Sequence, residues 1–510
     1  MSEQSNSKRI AKNTLMLYFR QILIMLVSLY TVRVVLNVLG AEDYGIYNVV
    51  AGVVTMFSFL SGAMATASQR YFSYDLGKDD REHLKITFNI TFQIYLLLVF
   101  IVLIFAETLG LWFVNNKLVI SHERLFAANV IFQASIVSFI MTLIATPYMA
   151  MIIAHEKMSV YAYVSIVEAV FKLAIAFLIQ ILIFDKLALY GILLSIVSIA
   201  VTGIYVFYCL RKFEECKLKF LKDKILFKEI ISYSGWNLFG ASVGVVKNQI
   251  MNILLNLYFG TVVNAARAIA FQISSALTSF GQNFSTAMRP QLIKSYATDQ
   301  KDEVLLLVYR GCKFTFFLMY IFALPLFFEM DFVLNFWLKN PPEFSVLFTK
   351  LVLIDVLIDC LNYQIMTLAQ ATGKIKMYQA VVGGILLLNL PVSYFFLKVL
   401  NESAYVVFLV SIVITIVAMI VRLFIIKFLT EFSILKFILK VILPCFVVVL
   451  VSSIVPFLIS KYMEKKLINV VFTIFVCVCM AVFSIFVFGF SKDERNMVIQ
   501  FLKNKFGERK

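Results

Sequence analysis

Fourteen apolar runs, each about 20 to 30 residues long, follow one another along the chain: 12–39, 46–67, 86–109, 125–153, 159–184, 187–210, 231–258, 262–288, 306–330, 345–372, 377–397, 403–426, 437–459 and 467–489. About 20 apolar residues of helix cross the ~30 Å hydrocarbon core of a bilayer. Lipid offers no partner to an unpaired backbone N–H or C=O, so runs of this length must be helices. The chain is therefore expected to be an all-α polytopic membrane protein with about 14 transmembrane helices. Apolar residues make up 61% of it and charged residues 15%, against roughly 25% charged in soluble domains. A soluble globule could not hide that much apolar side chain. The first run is too long for a cleaved signal peptide, carries Arg20 and Arg33, and lacks a small-residue cleavage site.

The formal net charge of +16 would point a soluble protein toward nucleic acid. Here the cations sort by side of the membrane. With the N-terminus inside, inside segments carry 29 Lys and Arg and outside segments 8, so both termini are expected to be cytoplasmic. The charge is topological, and no nucleic-acid partner is implied. Every outside connection is short, leaving no extracytoplasmic domain to house an enzyme. The longest polar cytoplasmic stretch, the basic connector 211–230, follows six runs and precedes eight. It carries Cys216, which is expected to be open to thiol reagents from the cytoplasm. The seven cysteines show no zinc-like spacing.

An internal repeat coincides with that division. Adding 219 to positions around the second run lands on the eighth with similar chemistry: Thr55 on Ser274, Gly62 on Gly281, Thr66 on Ser285, Arg70 on Arg289 and Asp80 on Asp299. Leu36 and Asn37 before Gly40 echo Leu255 and Asn256 before Gly260, one residue further on. An even number of runs separates the copies, so they share an orientation, as in parallel-repeat transporters. The expected organisation is 1–210 as an N-lobe of six helices, 231–426 as a C-lobe of six, and 427–510 as two further helices and a cytoplasmic tail.

At 100° per residue, three runs carry a polar stripe. In the second it comprises Asn48, Gly52, Thr55, Gly62, Thr66 and Arg70; in the eighth, Asn264, Arg267, Ser274, Thr278, Gly281 and Ser285. In the seventh it comprises Asn237, Gly240, Gly244, Lys247, Asn248 and Asn252. Small and hydroxylated residues also let membrane helices pack closely, but packing does not explain Lys247 and Arg267. An intramembrane charge costs ~2.5–3.5 kcal/mol on insertion scales, so it faces a cavity or a partner. Arg20, Arg33, Lys247 and Arg267 are the candidates for a cationic lumen that would hold phosphate or pyrophosphate, with Asn48, Thr55, Asn237, Asn248, Asn252 and Ser274 as its polar wall. Arg33 and Arg267 could instead snorkel to headgroups, while Lys172 is expected to pair with Glu168 one turn earlier. Asp355 and Asp359, one turn apart, either neutralise cavity cations, carry a coupling proton or cation, or form a polar outer-half face with Asn362. The three histidines are scattered and no P-loop occurs, so no metal, cofactor or direct use of ATP is expected.

Three motifs carry a resemblance: Arg33 to Tyr47 (RVVLNVLGAEDYGIY), Ser68 to Tyr71 (SQRY), and Gln370 to Lys376 (QATGKIK) with Tyr378 close behind. With the six-plus-six-plus-two arrangement, the chain resembles the bacterial polysaccharide-biosynthesis (O-antigen type) flippases of the multidrug/oligosaccharidyl-lipid/polysaccharide exporter superfamily. That resemblance implies a non-enzymatic transporter in the bacterial inner membrane. Its cargo would be an undecaprenyl-pyrophosphate-linked oligosaccharide, carried in a hydrophilic cavity by alternating access. Other polysaccharide-assembly proteins would be its partners. Three alternatives stay open: a cation-coupled multidrug exporter of the same fold, a peptidoglycan-precursor flippase, and, less in keeping with the short outside loops, a membrane glycan polymerase.

Overall fold

The computed structural model describes residues 3–55, 57–118, 120–181, 184–219, 221–463, 466–496 and 499. They are helical almost throughout, with no strand among them. In chain order the helices are α1 (Glu3–Thr55), α2 (Ser58–Lys78), α3 (Arg81–Phe105), α4 (Leu111–Asn116), α5 (Leu125–Ala154), α6 (Met158–Ile181) and α7 (Lys186–Lys212). Then come α8 (Lys224–Ala297), α9 (Lys301–Leu338), α10 (Ser345–Cys360), α11 (Tyr363–Ala371), α12 (Ile375–Leu387) and α13 (Asn389–Lys398). The last are α14 (Val406–Leu429), α15 (Ile434–Phe437), α16 (Leu443–Tyr462) and α17 (Leu467–Ser484).

Among the described residues, 11 helices are long and apolar enough to cross a membrane, or 12 if the bent pair Glu42–Val54 and Ser58–Lys78 counts as one. The two remaining runs of the sequence are helical as well, in the distal part of α8 and in α10 with α11. The distal part of α8 falls short in apolarity, because the polar side chains that single it out as a site candidate lower its hydropathy. α10, at 16 residues, ends in a turn before α11 and is too short to cross by itself. Large apolar side chains such as Phe100, Phe126, Phe424 and Phe475 are exposed, as lipid-facing positions require.

The repeat has a conformational signature. Gly40 interrupts α1 at φ 79°, ψ 172°, and Gly260 interrupts α8 at φ 79°, ψ −170°. This extended, positive-φ region is essentially restricted to glycine, so each half breaks a long helix with the same residue in the same conformation. The exits match too: Asp79 (φ 55°) and Asp299 (φ 57°) both adopt the left-handed region. The structural counterpart of Asp299 is thus Asp79. Asp80, its partner at an offset of 219, instead caps α3 by accepting a hydrogen bond from the His83 N–H.

The chain divides into two compact units, Met1–Ser242 with Thr286–Gln300, and Val243–Ser285 with Lys301–Lys510. In the first unit Leu17, Ile153, Met158 and Ala287 form a buried cluster. A methyl group on Gly77 would lie 2.9 Å from the Lys294 carbonyl oxygen, so the two backbones nearly touch. In the second, Met251, Leu255, Phe348, Val407 and Phe408 belong to one core. There α16 reaches α9 through Tyr320, whose hydroxyl is 2.8 Å from Ser452 Oγ. Glu494, just past α17, pairs with the buried Lys313 (2.5 Å). Cys216 proves fully buried, contrary to its expected thiol accessibility, because Phe213 and Cys216 turn inward as the connector leaves α7. Cys479 is the exposed cysteine.

Candidate functional site

The second unit holds a cavity of about 400 Å³. The kinked α8 builds two of its walls. Before Gly260, Gly244, Lys247, Asn248 and Met251 share a face; after it, Phe271, Ser274, Ser275, Thr278, Ser279 and Gln282 do so. α10 adds Asp355 and Asp359, one turn apart, and α14 adds Phe408, Ser411, Thr415 and Arg422.

Its charges are matched. Lys247 Nζ lies 3.7 Å from Asp355 Oδ2, and Ser411 Oγ donates to that same oxygen (2.9 Å). Arg422 Nη1 donates to Asp359 Oδ1 at 3.2 Å. Two cations thus meet two carboxylates, and the rest of the polar wall is hydroxyl and amide. The side chain of Asp359 is 48% exposed and that of Arg422 10%, so the carboxylate is the member of the pair more open to a guest. Such a wall both donates and accepts hydrogen bonds without a net charge.

Of the sequence candidates, Lys247, Asn248, Ser274, Asp355 and Asp359 come together here. Arg267 sits nearby as a strut, donating from Nη2 to the Asn248 carbonyl (2.6 Å) and stacking on Phe271. Asn252 is half-buried and does not line the cavity. The others belong to the first unit. Arg20 lies over the Tyr161 ring (4.7 Å) and donates to Ser165 Oγ (3.4 Å). Arg33 and Asn48 are exposed and Asn237 is buried; the Thr55 side chain falls outside the described residues. Lys172 pairs with Glu168 at 2.6 Å.

Arg422 escaped the sequence reading because it stands near the end of its run, where an arginine looks like an ordinary flank. The spacing Ser411, Thr415, Arg422 puts all three on one helical face, and that stripe is the signal that could have found it. A second missed cluster lies in the first unit. Glu156, in the turn after α5, takes Arg9 on one carboxylate oxygen (2.6 Å) and Lys294 on the other (2.7 Å). Arg9 also donates to Gln291. The repeat-related Arg70 and Arg289 lie in this unit as well. Arg70 stacks on Tyr71, Tyr74 and Tyr233, and Arg289 donates to Gln69.

The fold is shared with solved transporters. One described as an outward-facing multidrug resistance MATE family transporter of the MOP superfamily has a TM-score of 0.72 and 11% identity, over 84% of this chain and 99% of that one. A MATE crystal structure in complex with MaD3S has a TM-score of 0.69 and 14% identity, over 83% and 97%. A MATE transporter in complex with Rb+ gives 0.66 and 13%, over 84% and 96%. No curated protein matches the sequence. A chain of apolar helices with a repeated glycine break and a polar cavity thus has the fold of these multi-pass membrane transporters. Residues 10–295 match the family described as polysaccharide biosynthesis protein, and the chain belongs to that family.

Proposed function

We propose that this transporter moves an undecaprenyl-pyrophosphate-linked oligosaccharide, an O-antigen or another surface-polysaccharide unit, across the bacterial inner membrane. It lies there with both termini cytoplasmic. It works by alternating access, residues 1–210 and 231–426 acting as the two lobes, without catalysing a reaction. The cavity of the second unit receives the glycan. The observation that carries this reading is the composition of that wall: Ser, Thr, Asn and Gln around two internally neutralised ion pairs. Sugar hydroxyls donate and accept at once, and a buried polar wall needs a guest able to satisfy both roles. A cationic drug would find no unbalanced carboxylate, which separates this reading from the multidrug alternative. The pyrophosphate would engage cations, and Lys247, held only loosely at 3.7 Å by Asp355, is the one placed to exchange partners.

The test is surface polysaccharide in a flippase-null strain, normalised to folded protein in the membrane. Lys247→Arg should retain export, Lys247→Ala should lose about tenfold, as one charge-assisted contact implies, and Lys247→Glu should abolish it. The swap Lys247→Asp with Asp355→Lys restores the pair but displaces the cation. Full rescue by the swap would reduce Lys247 to a neutralising partner, and normal export by Lys247→Glu would overturn its role altogether.

A further inference from the structure

The connector after α7 is not a free loop. Arg81 holds Glu215 at 2.6 Å. Asn89 on α3 clamps the backbone, accepting from the Lys219 N–H (2.6 Å) and donating to the Lys217 carbonyl (3.3 Å). One turn on, Gln93 donates to the Leu221 carbonyl (2.9 Å). At 1.5 Å rise per residue, Asn89 and Gln93 lie about 12 and 18 Å along the helix from Arg81.

That position fixes the depth of the connector. The continuous span Arg81–Asn116 has 36 residues, about 54 Å of helix, against a hydrocarbon core of ~30 Å. From Gln93 to Asn116 is about 35 Å, already enough to cross. The clamp therefore sits within the first two turns of the apolar run that begins at residue 86, near the level of the lipid headgroups. There the connector exposes Lys217, Lys219, Lys222 and Lys224, interleaved with Leu218 (50% exposed) and Ile225 (83%). The acids alongside are engaged: Glu215 by Arg81, and Asp223 by the Ile225 and Leu226 N–H groups at the start of α8. Glu214 and Glu229 face outward, Glu229 accepting from the Tyr71 hydroxyl.

We infer that residues 217–219 and 221–225 form a fixed docking strip for anionic phospholipid headgroups, the lysines meeting the phosphates while Leu218 and Ile225 enter the acyl boundary. Lysines that only set topology need no clamp. A polybasic strip beside a transmembrane helix gains a factor of about five in affinity for an anionic leaflet per lysine. The inference does not depend on which substrate is carried.

The test uses the full-length chain with Cys479→Ser and Ile225→Cys, labelled at position 225 with the environment-sensitive dye NBD. The chain is placed in nanodiscs of neutral phosphatidylcholine or of phosphatidylcholine with increasing phosphatidylglycerol. Emission should shift to shorter wavelength, and quenching by a doxyl-labelled lipid should rise, as phosphatidylglycerol is added. Both effects should fade between 0.1 M and 1 M salt, as the screening length falls from about 10 Å to about 3 Å. Lys219→Gln with Lys222→Gln, both surface changes, should raise the phosphatidylglycerol fraction needed for half the shift by at least ~10-fold or abolish the response. Emission that is equal in neutral and anionic discs, whether blue or red, overturns the inference. So does a lipid response that survives the double substitution unchanged, or a shift produced only by an added acidic protein.

Discussion

Single charges carry most of what was legible about the site, and also what was missed. Lys247, Asp355 and Asp359 stand out because an ionised group inside an apolar run demands a reason, and all three line the cavity. Glu156 gave no such signal, since a carboxylate in a turn is ordinary. Only the structure shows it 3% exposed between Arg9 and Lys294. Removing its charge leaves two cations facing each other without an anion. Glu156→Gln should therefore cost about 3 kcal/mol, the lower end for a broken buried pair because both cations keep some solvent. Thermal unfolding of the purified protein would read this, and an unchanged midpoint would show that Gln291 and water suffice. Glycines divide in the same way. Gly62 and Gly281 are equivalent in sequence, yet a methyl on Gly281 would lie 2.5 Å from Met319 Sδ, while Gly62 has open space.

The helices themselves could be read from hydropathy almost throughout, because the bilayer imposes one solution on every apolar run. Where the runs joined could not. α1 and α8 are each broken at a single glycine where composition would place a loop, and the cue was the echo between Gly40 and Gly260, not either residue alone. Gly260→Ala would force a side chain into φ 79°, ψ −170° and should destabilise by about 1–3 kcal/mol. Gly45 also has open space but lies in helical backbone with no positive φ, so Gly45→Ala should be neutral or slightly stabilising. Paired melting curves of the two variants would separate backbone strain from lost space. Similar losses in both would show that the break at Gly260 tolerates a side chain.

Across the whole molecule, hydropathy and repeat predicted the architecture but not which segments pack together. The pairing of residues 286–300 with the first unit rests on side chains far apart in sequence, such as Glu156 and Lys294. The same region sets a pH response. His155 stacks on Phe213 (4.1 Å between rings), and burial pushes its imidazole from 6.5 down to about 4, outweighing Glu215 at 3.9 Å. The folded chain thus refuses a proton that the unfolded chain accepts. Stability is full above pH 6.5 and falls as the pH drops toward 4, by roughly 3 kcal/mol in all. His155→Gln should flatten the dependence of the unfolding temperature between pH 7.5 and 5, and an equal slope in both proteins would assign it elsewhere.

α8 begins in the first unit, crosses into the second to build the cavity walls, and ends in the first again. The connector before it looks like a natural scissile point, yet severing the chain there would not yield two self-sufficient pieces. The upstream fragment would lack residues 224–242 and 286–300 of its own unit, and the downstream fragment would display those segments with nothing to receive them. Gene fission at this point is therefore barred unless the two products reassemble.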